Sequence, residues 1–342
     1  MATILLFASD IPQLRLFSPY MTCMVEEPYS LWVDILFALT PVIFMGPLSI
    51  VLALTGGTIR QQTVGQLAGA LIVAGLALPF LSPQWTAVSF WVPFIGGASC
   101  AVGIAMQLYS FRLVGVSRTM PISMGLQIIV TGLGGVILFN EWATAFGTIL
   151  GLCAMTLIIV GIALTSYSEH ENVDGTVNTT APDRPVGGAS AKVVDRVTMR
   201  KGLALNVVSA FLLCAYMVWI RWEGIDYQEF IFPLALGMTV GAIVIAVVWR
   251  DGQPLIDRTF FKLLLIPGLM FGVGVMLMQV ANQVVGVATG FTLSQVGVVI
   301  SVFGGVVWLH EYKTSKEITA SWLGVALVLL GAAIIGYTKS LA

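Results

Sequence analysis

Residues Gly134 to Thr144 read GGVILFNEWAT, and residues Gly304 to Thr314 read GGVVWLHEYKT. Each run follows an apolar stretch of helical length and precedes another. A second shared element lies upstream of each, LVGVSRT from Leu113 and VVGVATG from Val284. The copies are 171 residues apart at the upstream element and 170 at the downstream one. A repeat of that length means a chain built from two related halves.

Composition sets the solvent. Hydrophobic residues make up 58% of the chain and charged residues 10%, against about 25% charged in soluble domains. The mean hydropathy is +0.95. No soluble fold covers that much apolar surface, so lipid surrounds most of it. The net charge of -1 gives no reason to expect nucleic acid. Cys23, Cys100, Cys153 and Cys214 are far apart and show neither disulfide nor metal spacing. With two histidines in the whole chain, a metal centre or other cofactor is not expected.

Ten apolar stretches are each long enough to cross roughly 30 Å of hydrocarbon. They fall near residues 32–54, 63–81, 87–111, 118–139, 145–166, 202–221, 230–249, 262–285, 290–309 and 319–338. The predicted fold is therefore an all-α polytopic membrane protein. Residues 32–166 form a first five-helix repeat and 202–342 a second. Residues 167–201 between them are polar and rich in Gly, Pro, Asp and Thr. Such a stretch buries too little apolar surface to order itself, and it reads as a flexible linker. Its Asn178-Thr179-Thr180 triplet is formally a glycosylation acceptor, and such triplets are common by chance.

Five spans per half is an odd number, so two halves of the same fold insert in opposite senses. That is a 5+5 inverted repeat, an arrangement many secondary transporters share. Charge gives the orientation. Arg15, Arg221 and Lys339 fall on the side of the termini, and the other thirteen of the 16 Lys and Arg fall on the opposite side. The positive-inside rule then places the linker in the cytoplasm and both termini outside a cell membrane. Residues 1–31 have no basic n-region and no clear cleavage site, so they make a poor signal peptide. They read as an N-terminal tail or as an extension from a misplaced start, with Met21 and Met24 as alternative starts.

Longer motifs then become specific. GGTIRQQTVGQLAGAL (Gly56 to Leu71), GVSRTMPISMGLQ (Gly115 to Gln127) with GGVILFNEW, LALGMTVGA (Leu234 to Ala242) and GVATGFTLSQVGVVISVFGG (Gly286 to Gly305) stand in order along the chain. The sequence resembles the bacterial glucose/ribose uptake proteins of the drug/metabolite transporter superfamily, from about Trp32 to the C-terminus and sparing the linker. The resemblance implies the ten-helix fold of that superfamily, a monosaccharide substrate and coupling to H+. Met45, Ile104, Met106 and Met124 stand where such proteins tend to carry stacking or polar side chains. Gln107 is kept.

Sugar hydroxyls both donate and accept, and side-chain amides answer both needs. Amides in hydrocarbon helices face the bundle interior or a wet cavity. Gln279, Asn282 and Gln283 share one face of the eighth span, at i, i+3 and i+4. Ser123, Gln127 and Thr131 are spaced i, i+4 and i+8 on the fourth. Gln107 lies on the third and Gln295 on the ninth. The expected substrate-binding set is Gln107, Ser123, Gln127, Gln279, Asn282, Gln283 and Gln295, set against interhelical hydrogen bonding as the other reading of each. Glu141 and Glu311 hold equivalent places in the repeat, and with Asp34 they are candidates for proton coupling or gating, or merely end a helix in solvent. Arg118 reads as an anchor or a contact to lipid headgroups.

Gly65/Gly69 and Gly237/Gly241 are small-xxx-small pairs at equivalent places of the two halves, a pattern that lets helices approach closely. Pro41, Pro47, Pro93, Pro233 and Pro267 are expected to kink or weaken their helices. Tryptophans near span ends fit an interfacial belt. The functional expectation is a secondary carrier importing a monosaccharide by alternating access. The alternatives are an exporter or exchanger of another small metabolite on the same fold and, with less support, an integral membrane enzyme. The chain has no GxxxxGK[ST] loop, so ATP-driven transport by this chain alone is not expected.

Overall fold

A computed structural model describes residues 28–114, 116–139, 144–165, 196–249, 252–297, 300 and 315–339. The chain divides into a short unit, Met1–Val33, and a large one, Asp34–Ala342. In the short unit the described residues, 28–33, are helical. The other described residues belong to the large unit.

Among the described residues all regular structure is helical: α1 (Pro28–Leu39), α2 (Pro41–Thr55), α3 (Ile59–Ala77), α4 (Ala87–Val114), α5 (Val116–Phe139), α6 (Ala145–Thr165), α7 (Arg196–Trp222), α8 (Tyr227–Val248), α9 (Arg258–Leu263), α10 (Leu269–Val285), α11 (Val287–Ser294) and α12 (Ser315–Lys339). Among the described residues seven helical stretches are long and apolar enough to cross a membrane. They include Ile59–Phe80, Ala87–Ser110 and Arg258–Val285. Shorter apolar helices, Ser123–Phe139 and Thr319–Ile335, fall on the fourth and tenth expected spans. Much of the ninth lies outside the described residues. Large apolar side chains such as Leu36, Ile43, Leu76, Ile95, Ile137 and Val248 are exposed, as lipid-facing positions require.

Local chemistry sets the helix ends. Gly56 and Gly57 turn the chain after α2 with φ of 74° and 93°, a region open to glycine. Thr58 and Gln61 then form a capping box at the start of α3. Gln61 Nε2 also donates across to the Pro254 carbonyl at 2.9 Å, tying α3 to the turn before α9. α7 starts at Arg196, so the last residues assigned to the linker are helical. The prolines act unequally. Pro41 lies at the break between α1 and α2, and Pro267 lies in a π-helical segment, Leu264–Gly268, that joins α9 to α10. Pro47, Pro93 and Pro233 sit inside α-helices.

Two glycine crossings bring backbones into contact. On α3, a Cβ at Gly65 would lie 2.9 Å from Leu263 Cβ, and one at Gly69 would overlap the Gly268 backbone. On α8, a Cβ at Gly237 would overlap the Phe94 carbonyl, and one at Gly241 would lie 3.0 Å from Ala98 Cα. Gly97 of α4 closes the second crossing against Leu234. Hydroxyls add ties beside them. Thr239 Oγ1 donates to the Leu67 carbonyl at 3.0 Å, and Ser209 Oγ donates to the Gly103 carbonyl at 2.7 Å. The strongest packing pairs are α6 with α12, α4 with α8, and α4 with α7.

Candidate functional site

The expected polar residues fall into two clusters. In the first, Ser123 is fully buried on α5. Its hydroxyl oxygen accepts from Gln107 Nε2 of α4 at 2.6 Å and from Gln127 Nε2, one turn along α5, at 2.8 Å. Both lone pairs of Ser123 Oγ are thereby spent. Each half-buried amide gives one N–H to the serine and keeps its carbonyl oxygen and second N–H without a partner among the described residues. Thr131 turns inward and donates to the Gln127 backbone carbonyl at 2.7 Å. Two amides are thus fixed on adjacent helices with acceptors and donors to spare.

The second cluster lies between α7 and α10. Gln279 Nε2 donates to Tyr216 Oη at 2.9 Å, and Asn282 Nδ2 donates to Gln279 Oε1 at 3.4 Å. Asn282 Nδ2 also meets Met217 Sδ at 3.8 Å. Gln279, Asn282 and Tyr216 are all buried. Gln279 borders a cavity of about 20 Å³ between α3, α8 and α10, whose walls include Ala70, Ala74, Leu234, Met238 and Gly272. That is room for a water, far below the roughly 300 Å³ at which ligand pockets begin.

The remaining candidates separate. Gln283 is a clamp: its Nε2 donates to the Ile225 carbonyl at 2.9 Å, and its Oε1 accepts the Tyr227 backbone N–H at 3.1 Å. Both ends of that amide serve the turn that starts α8. Gln295 opens a short 3-10 turn after α11 and is half-buried. Asp34 is half-buried on α1. Glu141, Glu311 and the Asn178 triplet lie outside the described residues, as does the side chain of Arg118. Among the described residues no group of three or more His, Cys, Asp or Glu could hold a metal ion. Cys100, Cys153 and Cys214 are free thiols.

Tyr216 is the residue that sequence reasoning passed over. A signal was present: a tyrosine within the apolar run AFLLCAYMVW must place its hydroxyl on a partner once buried.

These features define a multi-pass helical membrane protein with side-chain amides hydrogen-bonded between its helices. The sugar transport protein family profile matches residues 36–182 and 186–338. The chain belongs to that family. A Listeria innocua relative with the provisional name of sugar uptake protein is 40% identical over 306 residues, covering 90% of this chain and 99% of the relative. The "Probable glucose uptake protein GlcU" of Priestia megaterium is 34% identical over 307 residues, covering 90% of this chain and 100% of its own length. A solved crystal structure superposes with a TM-score of 0.63 at 13% identity, covering 88% of this chain and 97% of that one, which is a likeness of fold alone. The family and the names of these relatives indicate a transporter rather than an enzyme.

Proposed function

We propose that this protein is a secondary carrier that brings a monosaccharide into the cell by alternating access. The observation that carries the proposal is kinship along nearly the whole chain with proteins named for sugar and glucose uptake. The chemistry agrees with it. Gln107 and Gln127, fixed by Ser123, offer the mixed donors and acceptors that hydroxyls need. Gln279 and Asn282 add a second amide pair on α10, and Gln295 is the remaining candidate contact. Gln283 contributes by holding the turn before α8. Substrate binding by these residues is tested by the amide substitutions argued in the Discussion. Coupling to H+ through Asp34, Glu141 or Glu311 is part of the proposal, tested by transport with and without a proton gradient.

The proposed architecture is the 5+5 inverted repeat, with residues 32–166 and 202–338 as its halves and 167–201 as the linker. Helix packing supports it. Exchanging the halves turns the α4–α7 contact into α2–α10, and α3–α10 into α4–α8; all four contacts are present. The glycine crossings obey the same exchange. Gly65 and Gly69 match Gly237 and Gly241, while Gly268 lies 171 residues after Gly97. Two equivalent close crossings give a carrier two places at which its halves can rock.

Orientation is open to a direct check. A reporter fused after Ala342 is expected to be active only outside the cytoplasm, and one inserted near Gly188 only inside it. Reversed activities at both places would refute the orientation.

A further inference from the structure

The buried chain Tyr216–Gln279–Asn282 ends one partner short. Tyr216 Oη accepts a hydrogen bond from Gln279 Nε2, Gln279 Oε1 accepts one from Asn282 Nδ2, and Asn282 Oδ1 is buried with no hydrogen-bond partner among the described residues. Asn282 is only 3% exposed. The shortfall does not depend on how the amides are turned. Rotate both by half a turn, and the Tyr216 O–H donates to Gln279 Oε1 while Gln279 Nε2 donates to the Asn282 oxygen. Asn282 Nδ2 is then the atom left over. In either sense the chain leaves an unmet polar end at Asn282.

Buried polar groups are paired in nearly all native structures, so an exception asks for a partner that comes and goes. The surroundings fit that. Gly290 of α11 closes over Asn282, and a Cβ there would lie 2.7 Å from Asn282 Oδ1. Gly286, with φ of 94°, is the turn joining α10 to α11. Parting of these two helices at that turn would uncover the unmet end.

We infer that Tyr216 is a positioning residue for substrate, holding Gln279 and through it Asn282, so that the free end of Asn282 meets one hydroxyl of an uncharged polyhydroxy compound. The inference rests on the proposed sugar transport. The reversible sense of the chain sets the ligand class. A hydroxyl can donate to Asn282 Oδ1 or accept from Asn282 Nδ2, whereas a carboxylate can only accept and an ammonium can only donate.

The test is competition against labelled D-glucose and D-ribose uptake in proteoliposomes of the full chain, using each sugar and its single-deoxy analogues. In the wild type, one deoxy position is expected to weaken competition about tenfold, because a site built for a hydroxyl rejects the analogue lacking it. In Tyr216→Phe the parent sugar should compete about 3–30-fold less well, and that same deoxy position should cost less than about twofold more, since residue and hydroxyl act as one coupled pair. Penalties at the other hydroxyls should remain. Asn282→Leu removes the unmet end itself, leaves the Tyr216–Gln279 bond in place, and should erase the same penalty even if Tyr216→Phe folds poorly. Full penalties at every hydroxyl in the folded variants would overturn the inference while leaving sugar transport standing. A wild-type protein that no sugar in the panel engages would overturn both, and would show this before any variant is made.

Discussion

Gly69→Leu is expected to strip the purified protein of much of its thermal stability in detergent, while Gly75→Leu, six residues along the same helix, is not. A Cβ at Gly69 would overlap the Gly268 backbone, whereas a Cβ at Gly75 meets nothing within 4 Å. Overpacking a core with extra methylenes costs about 1–3 kcal/mol when side chains can shift. At Gly69 the obstacle is main chain, so α3 and α10 must separate and the cost lies at or above the top of that range. At Gly75 a leucine removes the roughly 1 kcal/mol helix penalty of glycine and adds an apolar side chain. Equal losses of melting temperature in the two variants would contradict the crossing. Gly237→Leu should behave as Gly69→Leu does, because a Cβ there would overlap the Phe94 carbonyl.

The second large effect separates substrate contacts from structural clamps. Gln107→Leu, Gln279→Leu and Asn282→Leu are each expected to weaken apparent sugar affinity. A lost hydrogen bond costs roughly 0.5–1.5 kcal/mol and a stranded partner about 1–3. At 1.4 kcal/mol per factor of ten, that is about threefold to a hundredfold. Gln283→Leu should do the reverse. It strands the Ile225 carbonyl and the Tyr227 N–H, so stability falls while affinity for the sugar holds. Affinity and melting temperature measured on the same four proteins decide the matter. Wild-type affinity with lowered stability in all four would reduce every one of these amides to a packing role.

Much of the scaffold was legible in the sequence because lipid imposes one demand, an unbroken apolar run of helical length. The Gly65/Gly69 and Gly237/Gly241 pairs could be read as close-packing positions because spacing alone puts each pair on one helix face. The helix they meet could not be read. Gly268 joins the first crossing through tertiary contact, and its place in a π-helical segment depends on how Pro267 interrupts the hydrogen-bond ladder. The candidate site was legible in the same partial way. Helical spacing set Ser123 and Gln127 on one face, yet the arrival of Gln107 from α4 on the same hydroxyl is a fact of packing. Spacing also put Gln279, Asn282 and Gln283 together, whereas their partners divide them. The first two bond each other, and the third serves the backbone of another turn.

Sugar transport by this chain is tested by reconstituting the purified protein into vesicles and following labelled D-glucose and D-ribose, with and without an imposed proton gradient. Saturable uptake of at least one of them is expected, absent from protein-free vesicles, blocked by an excess of the same unlabelled sugar and raised by a gradient directed inward. Folded, stably reconstituted protein that moves neither sugar above the protein-free level, in either condition, would contradict it.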